Sequence, residues 1–173
     1  ALQTITSRNI NPQESLVVSV TQFHAGEAFN IIPDTVMLKG TCRVFNNELQ
    51  GTLPDRIQRI VDGVSSTFGA KSELTYHKGY PATINAEPQS KFCADVAKEI
   101  AGSENGVDLK PVPSMGAEDF SYMLQKRPGC YIWAGNGDSA GLHHPEYDFN
   151  DQLLAVGASY WSRLVEQRLP KNI

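Results

Sequence analysis

Between Ser15 and Phe68 the spacing of apolar residues changes from two to roughly 3.6, and that switch confines the chain to folds that layer helices on a sheet. Leu16, Val18 and Val20 alternate with their neighbours over Ser15 to Phe23, and Val36, Leu38, Cys42 and Val44 do so over Thr35 to Phe45. Each stretch reads as a strand with one buried face. Leu53, Ile57, Ile60, Val61, Val64 and Phe68 then follow a helical stripe, with Asn46 or Asn47 available as a cap and Gly69 as a stop. Ala1, Leu2 and Ile5 look like the tail of a helix, and a further strand is expected at Glu73 to Lys78.

At Gly79, Tyr80 and Pro81 the pattern changes, so the boundary is placed there, giving units 1–80 and 81–173. The second unit opens with a helix over Glu87 to Ala101 that buries Phe92, Val96 and Ile100 and stops at Gly102. Short strands are expected at Val107 to Val112 and at Cys130 to Ala134, with a short helix at Ala117 to Gln125 between them. A last helix, Asp151 to Leu169, carries Leu154, Ala158, Trp161, Leu164, Val165 and Leu169 on one face, capped by Asn150 or Asp151. The fold class is therefore α/β, with too few strands in the second unit for a complete sheet, as expected of a piece of a longer protein.

A net charge of −4 without a basic stripe argues against a nucleic-acid partner, whose phosphates call for clustered Lys and Arg. No apolar stretch approaches the ~20 residues that cross a bilayer, and the first residues have no signal-peptide character, so a cytoplasmic protein is expected. Cys42, Cys93 and Cys130 are odd in number and widely spaced, which suits a reducing compartment, and each reads as a small apolar residue.

Chemistry has few candidates. There is no Gly-x-Ser-x-Gly elbow, no sequence-paired Cys and His, and no phosphate loop. Of four histidines, His77 lies in an expected strand without an acidic partner and reads as structural. His143 and His144 follow the glycine-rich loop Gly135 to Gly141; Pro145 rather than a helix comes next, which excludes a phosphate cradle. The pair is either a metal-ligand position or two surface imidazoles. Glu118 and Asp119 precede a short helix, where its dipole favours negative charge, so capping explains them as readily as a site does. His24 and Asn30 share a loop between two strands and either stabilise that turn or donate hydrogen bonds to an oxyanion and a carboxylate.

The segments His24-Ala25-Gly26-Glu27-Ala28-Phe29-Asn30-Ile31-Ile32-Pro33-Asp34, Met115-Gly116-Ala117-Glu118-Asp119-Phe120, and Leu142-His143-His144-Pro145 with Tyr147-Asp148-Phe149 occur in that order. Together they resemble the aminoacylase, hippurate hydrolase and auxin-conjugate hydrolase family of dinuclear metallopeptidases. The resemblance implies a small sheet-plus-helices lid and dimerisation domain over 1–80, followed by the C-terminal part of an α/β catalytic domain. It implies hydrolysis of the amide bond of N-acyl amino acids with two divalent ions, zinc or manganese. By the same resemblance His143 is a metal ligand, His24 a catalytic residue that reaches a partner subunit's site, and Asn30 a substrate-carboxylate holder. Glu118 and Asp119 lie near the site in a role the resemblance leaves open. The family's Cys-x-His ligand motif has no counterpart in these residues, so the chain is expected to be inactive alone. The competing expectation is a non-catalytic α/β module for dimerisation or ligand binding.

Overall fold

The computed structural model describes residues 1–102 and 106–169. Contacts divide the chain into two compact units, Ala1–Ala82 with Ser114–Asp119, and Thr83–Pro113 with Phe120–Ile173.

In unit 1 the order is α1 (Thr4–Arg8), β1 (Leu16–Ala25), β2 (Val36–Val44) and α2 (Asn47–Thr67). β1 and β2 form an antiparallel ribbon in which Leu16 opposes Val44 and Val18 opposes Cys42. Ile5, Val18, Leu53 and Ile57 make the core, surrounded by Leu2, Leu16, Cys42, Val44, Ile60 and Val61. Complete burial of an Ile or Leu contributes about 1.5–3 kcal/mol, so these four residues dominate the unit. Of the two candidate caps, Asn46 is the one used: its side chain accepts from the Glu48 N–H at 2.9 Å and the Leu49 N–H at 3.1 Å. The far end of the expected stripe, Val64 and Phe68, stays exposed.

Glu73 to Lys78 forms no strand ladder among the described residues. Ser72, Leu74 and Tyr76 nonetheless alternate inward, and Leu74 and Tyr76 pack on the core. The period-2 pattern is honoured by an extended segment without a hydrogen-bonded neighbour strand, and a ladder needs that neighbour.

Unit 2 holds α3 (Glu87–Ala101), α4 (Phe120–Lys126) and α5 (Gln152–Arg168). α3 ends where expected, at Gly102 with φ +67°. α5 packs on α3, but with a different face from the one expected. Leu153, Gly157, Tyr160 and Leu164 turn inward, whereas Leu154, Ala158, Trp161, Val165 and Leu169 are exposed. Polar contacts at the edge of the same helix pair accompany this rotation. The Glu99 carboxylate of α3 accepts from Arg163 Nε at 2.9 Å and from Gln167 Nε2 at 2.8 Å, which places that side of α5 against α3. The same two hydrogen bonds hold the Glu99 carboxyl below its ordinary range.

The expected strands at Val107 to Val112 and Cys130 to Ala134 have no ladder either. At Tyr131 a side chain takes the place of a neighbouring strand: Asn85 donates to its carbonyl and accepts from its N–H, both at 2.8 Å. No described helix is long and apolar enough to cross a membrane. The accessible surface, 13885 Å², is large. Even two separate globular units of half this mass would together expose about 10,100 Å².

Candidate functional site

His24 sits near the end of β1, opposite Met37. Its direction is set by a bulge. Leu16, Val18 and Val20 share the core side, and uninterrupted alternation would send His24 to that side too. The register shifts between Val20 and Gln22, after which Phe23 opposes Leu38 and His24 opposes Met37. The parity of β1 is thereby reversed, so that His24 stands on the outer face of the ribbon. Across from Val20 lies Gly40, where an added Cβ would come within 2.4 Å of the Ser19 carbonyl oxygen. Only glycine admits that approach.

Beyond β1 the chain turns at Gly26, φ +69°, and the loop to β2 walls a hollow of about 630 Å³ with His24, Glu27, Ile31, Pro33 and Met37. Asn30 is exposed and does not line it, so the structure brings His24 together with Glu27 rather than with Asn30.

His143 is placed by turns rather than by a strand. The His144 N–H donates to the Gly141 carbonyl at 3.1 Å, closing a β-turn with His143 at its third position. His143 has φ +67°, and it is the one non-glycine residue with positive φ among those described. That conformation carries a cost of about 1–2 kcal/mol outside glycine and commonly marks a site. A second turn follows at once, with the Tyr147 N–H donating to the His144 carbonyl at 3.0 Å.

The two adjacent imidazoles are not equivalent. His144 Nδ1 accepts from the Glu146 N–H at 3.1 Å, which puts the proton of a neutral ring on Nε2 and leaves His144 no free lone pair. His143 has no such engagement among the hydrogen bonds of the described residues and is exposed. Hydrogen bonding thus distinguishes the two imidazoles, which residue spacing alone does not.

One organiser went unnoticed in the sequence. Asn136 braces the loop by donating to Ser139 Oγ at 2.9 Å and to the Asp148 carbonyl at 2.7 Å, while accepting from the Asn150 N–H at 2.8 Å. Asn150 in turn accepts from the N–H of Gln152, the first residue of α5, at 3.1 Å. The signal available was an Asn between Gly135 and Gly137, a residue type that bonds nearby main chain. Asp138, Glu146, Asp148 and Asp151 line a hollow of about 550 Å³ beside this brace, giving the His143 loop a negative setting. Among the described residues no three His, Cys, Asp or Glu converge in a way that could hold a metal ion. The donors among the described residues therefore do not fit a two-ion centre by themselves.

Glu118 and Asp119 belong to the segment that packs with unit 1. Arg43 of β2 donates to the Met115 carbonyl at 2.5 Å, and Asp119 directly precedes α4. The segment that carries this pair is thus tied to β2 through Met115, and Asp119 holds the position before the start of α4.

A mixed fold with a two-stranded ribbon, capped helices and a left-handed histidine turn has clear counterparts. The model of Peptidase family M20/M25/M40 matches residues 7–167, and the chain belongs to that family. It is 37% identical over 164 residues to the hippurate hydrolase of Campylobacter jejuni, covering 95% of this chain and 43% of that protein. Similar relatives are the N-acetyl-L-cysteine deacetylase of Bacillus subtilis, at 33% over 93% of this chain and 38% of the relative, and the IAA-amino acid hydrolase ILR1-like 4 of Arabidopsis thaliana, at 32% over 98% and 40%. Among solved structures, the Bacillus subtilis YXEP protein, a dinuclear metal binding peptidase of the M20 family, superposes with a TM-score of 0.73 at 29% identity, covering 89% of this chain and 42% of that one. The chain thus spans about two fifths of the length of the relatives it matches.

Proposed function

We propose that this chain is part of a metal-dependent hydrolase that cleaves the amide bond of N-acyl amino acids. The family supports a hydrolase. The substrate class rests on what the names of three relatives share: hippurate, N-acetyl-cysteine and an indoleacetyl amino acid are all acyl groups on an amino-acid nitrogen. The observation that carries the reading is the left-handed turn at His143, which presents an exposed imidazole in a backbone conformation that non-glycine residues seldom adopt.

In this reading His143 gives one ligand to a pair of divalent ions, zinc or manganese, whose other donors belong to further polypeptide. Bound there, the ions supply a polarised acyl carbonyl and an activated water. His24 stabilises the oxyanion from the lid of a paired subunit, and Asn30 receives the substrate carboxylate. Unit 1 is the lid, and homodimer formation runs through its ribbon, where Phe23, Val36, Met37 and Leu38 are exposed. Unit 2 is the C-terminal part of the catalytic domain. Its bared stripe on α5 and the large accessible surface support the view that further polypeptide covers it. The partner is a small-molecule substrate, and the protein is cytoplasmic.

The absence of a three-donor group among the described residues favours a second reading for the chain alone, a non-catalytic dimerisation or binding module. One experiment separates them. The full-length gene product and the 173-residue chain are each assayed with hippurate and N-acetylcysteine, and their metal content is measured. Two ions and turnover in the longer protein, with neither in the chain alone, are expected. Wild-type turnover and metal content in a full-length His143→Ala variant would sink the hydrolase assignment for this residue.

A further inference from the structure

The loop that walls the hollow beside His24 is divided by a turn of its own. The Ile31 N–H donates to the Ala28 carbonyl at 3.4 Å, so Phe29 and Asn30 occupy the tip of a β-turn, and Ala28 and Ile31 its base. The tip is exposed and stands outside the hollow, whereas the base lines it. At the root of the loop Gly26 and Pro33 close on each other: a Cβ at Gly26 would meet the Pro33 ring at 3.6 Å. His24 and Met37 are opposite in the ladder and therefore share one face of the ribbon. Ile31, Pro33 and Met37 thus give His24 an apolar surround, and Glu27 adds a carboxylate.

An N-acyl amino acid runs in two directions from its scissile carbonyl. One arm is the acyl group; the other is the nitrogen, the α-carbon and the carboxylate. With the carbonyl oxygen at His24, the wall of the hollow decides which arm it accepts. Like charges make Glu27 a poor neighbour for the substrate carboxylate, and Asn30, its proposed holder, sits at the turn tip outside the hollow. The apolar residues offer surface to a hydrocarbon group instead. A hollow of about 630 Å³ also leaves room for far more than the methyl of an acetyl group.

Resting on the hydrolase reading above, with His24 as the oxyanion donor, we propose that this hollow receives the acyl group of the substrate. Met37 and Ile31 select apolar acyl groups larger than acetyl, and Glu27 discriminates against acyl groups that carry a carboxylate of their own. Ile31 and Met37 are exposed, so truncating them empties no core.

The test uses the full-length, metal-loaded enzyme and two series of substrates. One varies the acyl group on glycine between acetyl, benzoyl and succinyl; the other keeps acetyl and changes the amino acid from glycine to methionine. Ratios of kcat/KM within one preparation cancel differences in metal content. Met37→Ala and Ile31→Ala are each expected to lower the ratio of N-benzoylglycine to N-acetylglycine by about tenfold, as for lost apolar contact in a specificity pocket. Glu27→Gln should raise the ratio of N-succinylglycine to N-acetylglycine by about two- to fivefold, the range for exposed charges. The ratio between the two acetylated amino acids should stay as it is in all three variants. Unchanged acyl ratios in Met37→Ala and Ile31→Ala, or a shift in the amino-acid ratio instead, would overturn the assignment of the hollow and leave the hydrolase reading standing. An unchanged succinyl ratio in Glu27→Gln would overturn the role of Glu27. No turnover of any of these substrates by the unaltered enzyme would overturn the hydrolase reading and the acyl site together.

Discussion

His24 and His143 are both exposed imidazoles, yet they are delivered by opposite means. His24 rides a ladder, where main-chain hydrogen bonds and a single bulge decide which face receives it. His143 sits on a turn that a side chain, Asn136, ties to the start of α5. A ladder fixes direction by parity, so one inserted residue flips everything beyond it. A braced turn fixes direction by one backbone conformation, and its stability depends on a few hydrogen bonds. The first arrangement suits a donor on a surface that pairs; the second suits a ligand that must point one way.

The largest effects should come from removing the imidazoles in the full-length enzyme. His143→Ala is expected to lose bound metal and to lower kcat/KM by about 10³-fold or more, in line with loss of the dominant electrostatic contribution to such reactions. His24→Ala should leave metal content unchanged and lower kcat by about 10²–10³-fold, the range for one oxyanion donor. Metal analysis beside steady-state kinetics checks both. Equal metal loss in the two variants would erase the proposed distinction between ligand and donor.

Next comes the bulge. Gly40→Ala drives a Cβ to 2.4 Å from a backbone oxygen, where no side-chain rotation relieves the clash. A loss of about 1–3 kcal/mol from unit 1 is expected, by analogy with overpacking. Hydrogen exchange should show faster opening along Leu16–Ala25 and Val36–Val44 with α3 and α5 unchanged. Unaltered protection of the ribbon would mean that its register does not depend on Gly40.

Asn136→Ala probes the other side of the comparison. It removes two donated bonds and one accepted bond, and a cost of about 1–3 kcal/mol is expected, confined to unit 2. Exchange over 137–150 should accelerate. Protection equal to the unaltered protein would transfer the bracing role elsewhere.

These contrasts mark what the sequence carries and what it leaves out. The Asn46 cap, the Gly102 stop and the inward alternation of Leu16 and Val18 are local, and they were legible because a cap, a left-handed stop and a period each leave a trace within a few residues. The inward face of α5 was not, because Leu153 and Leu154 are adjacent leucines and the choice between them depends on how α5 packs against another helix. The strands expected at Glu73 to Lys78 and Cys130 to Ala134 form no ladder among the described residues, since a ladder needs a neighbouring strand that no period can supply. Of the proposed site, His24 and His143 are the residues that the motifs single out. The parity change that reverses the face of His24, the occupied Nδ1 of His144 and the brace by Asn136 could not be read there, since each depends on a hydrogen bond to a residue whose partner is set only by the fold.

The smallest expected effect is the one that tests the turn itself. In the left-handed region a side chain costs about 1–2 kcal/mol that glycine does not incur, while glycine adds flexibility to the unfolded chain worth part of that amount. Without metal, His143→Gly should therefore stabilise the protein by about 0.5–1 kcal/mol. His143→Ala should not, because alanine retains the Cβ, and His143→Asn should fall between them. Urea unfolding of the three metal-free variants gives the order directly. Glycine less stable than alanine would mean that φ at this position is not positive, and that the strain argument for a ligand at His143 fails even if the enzyme needs its imidazole.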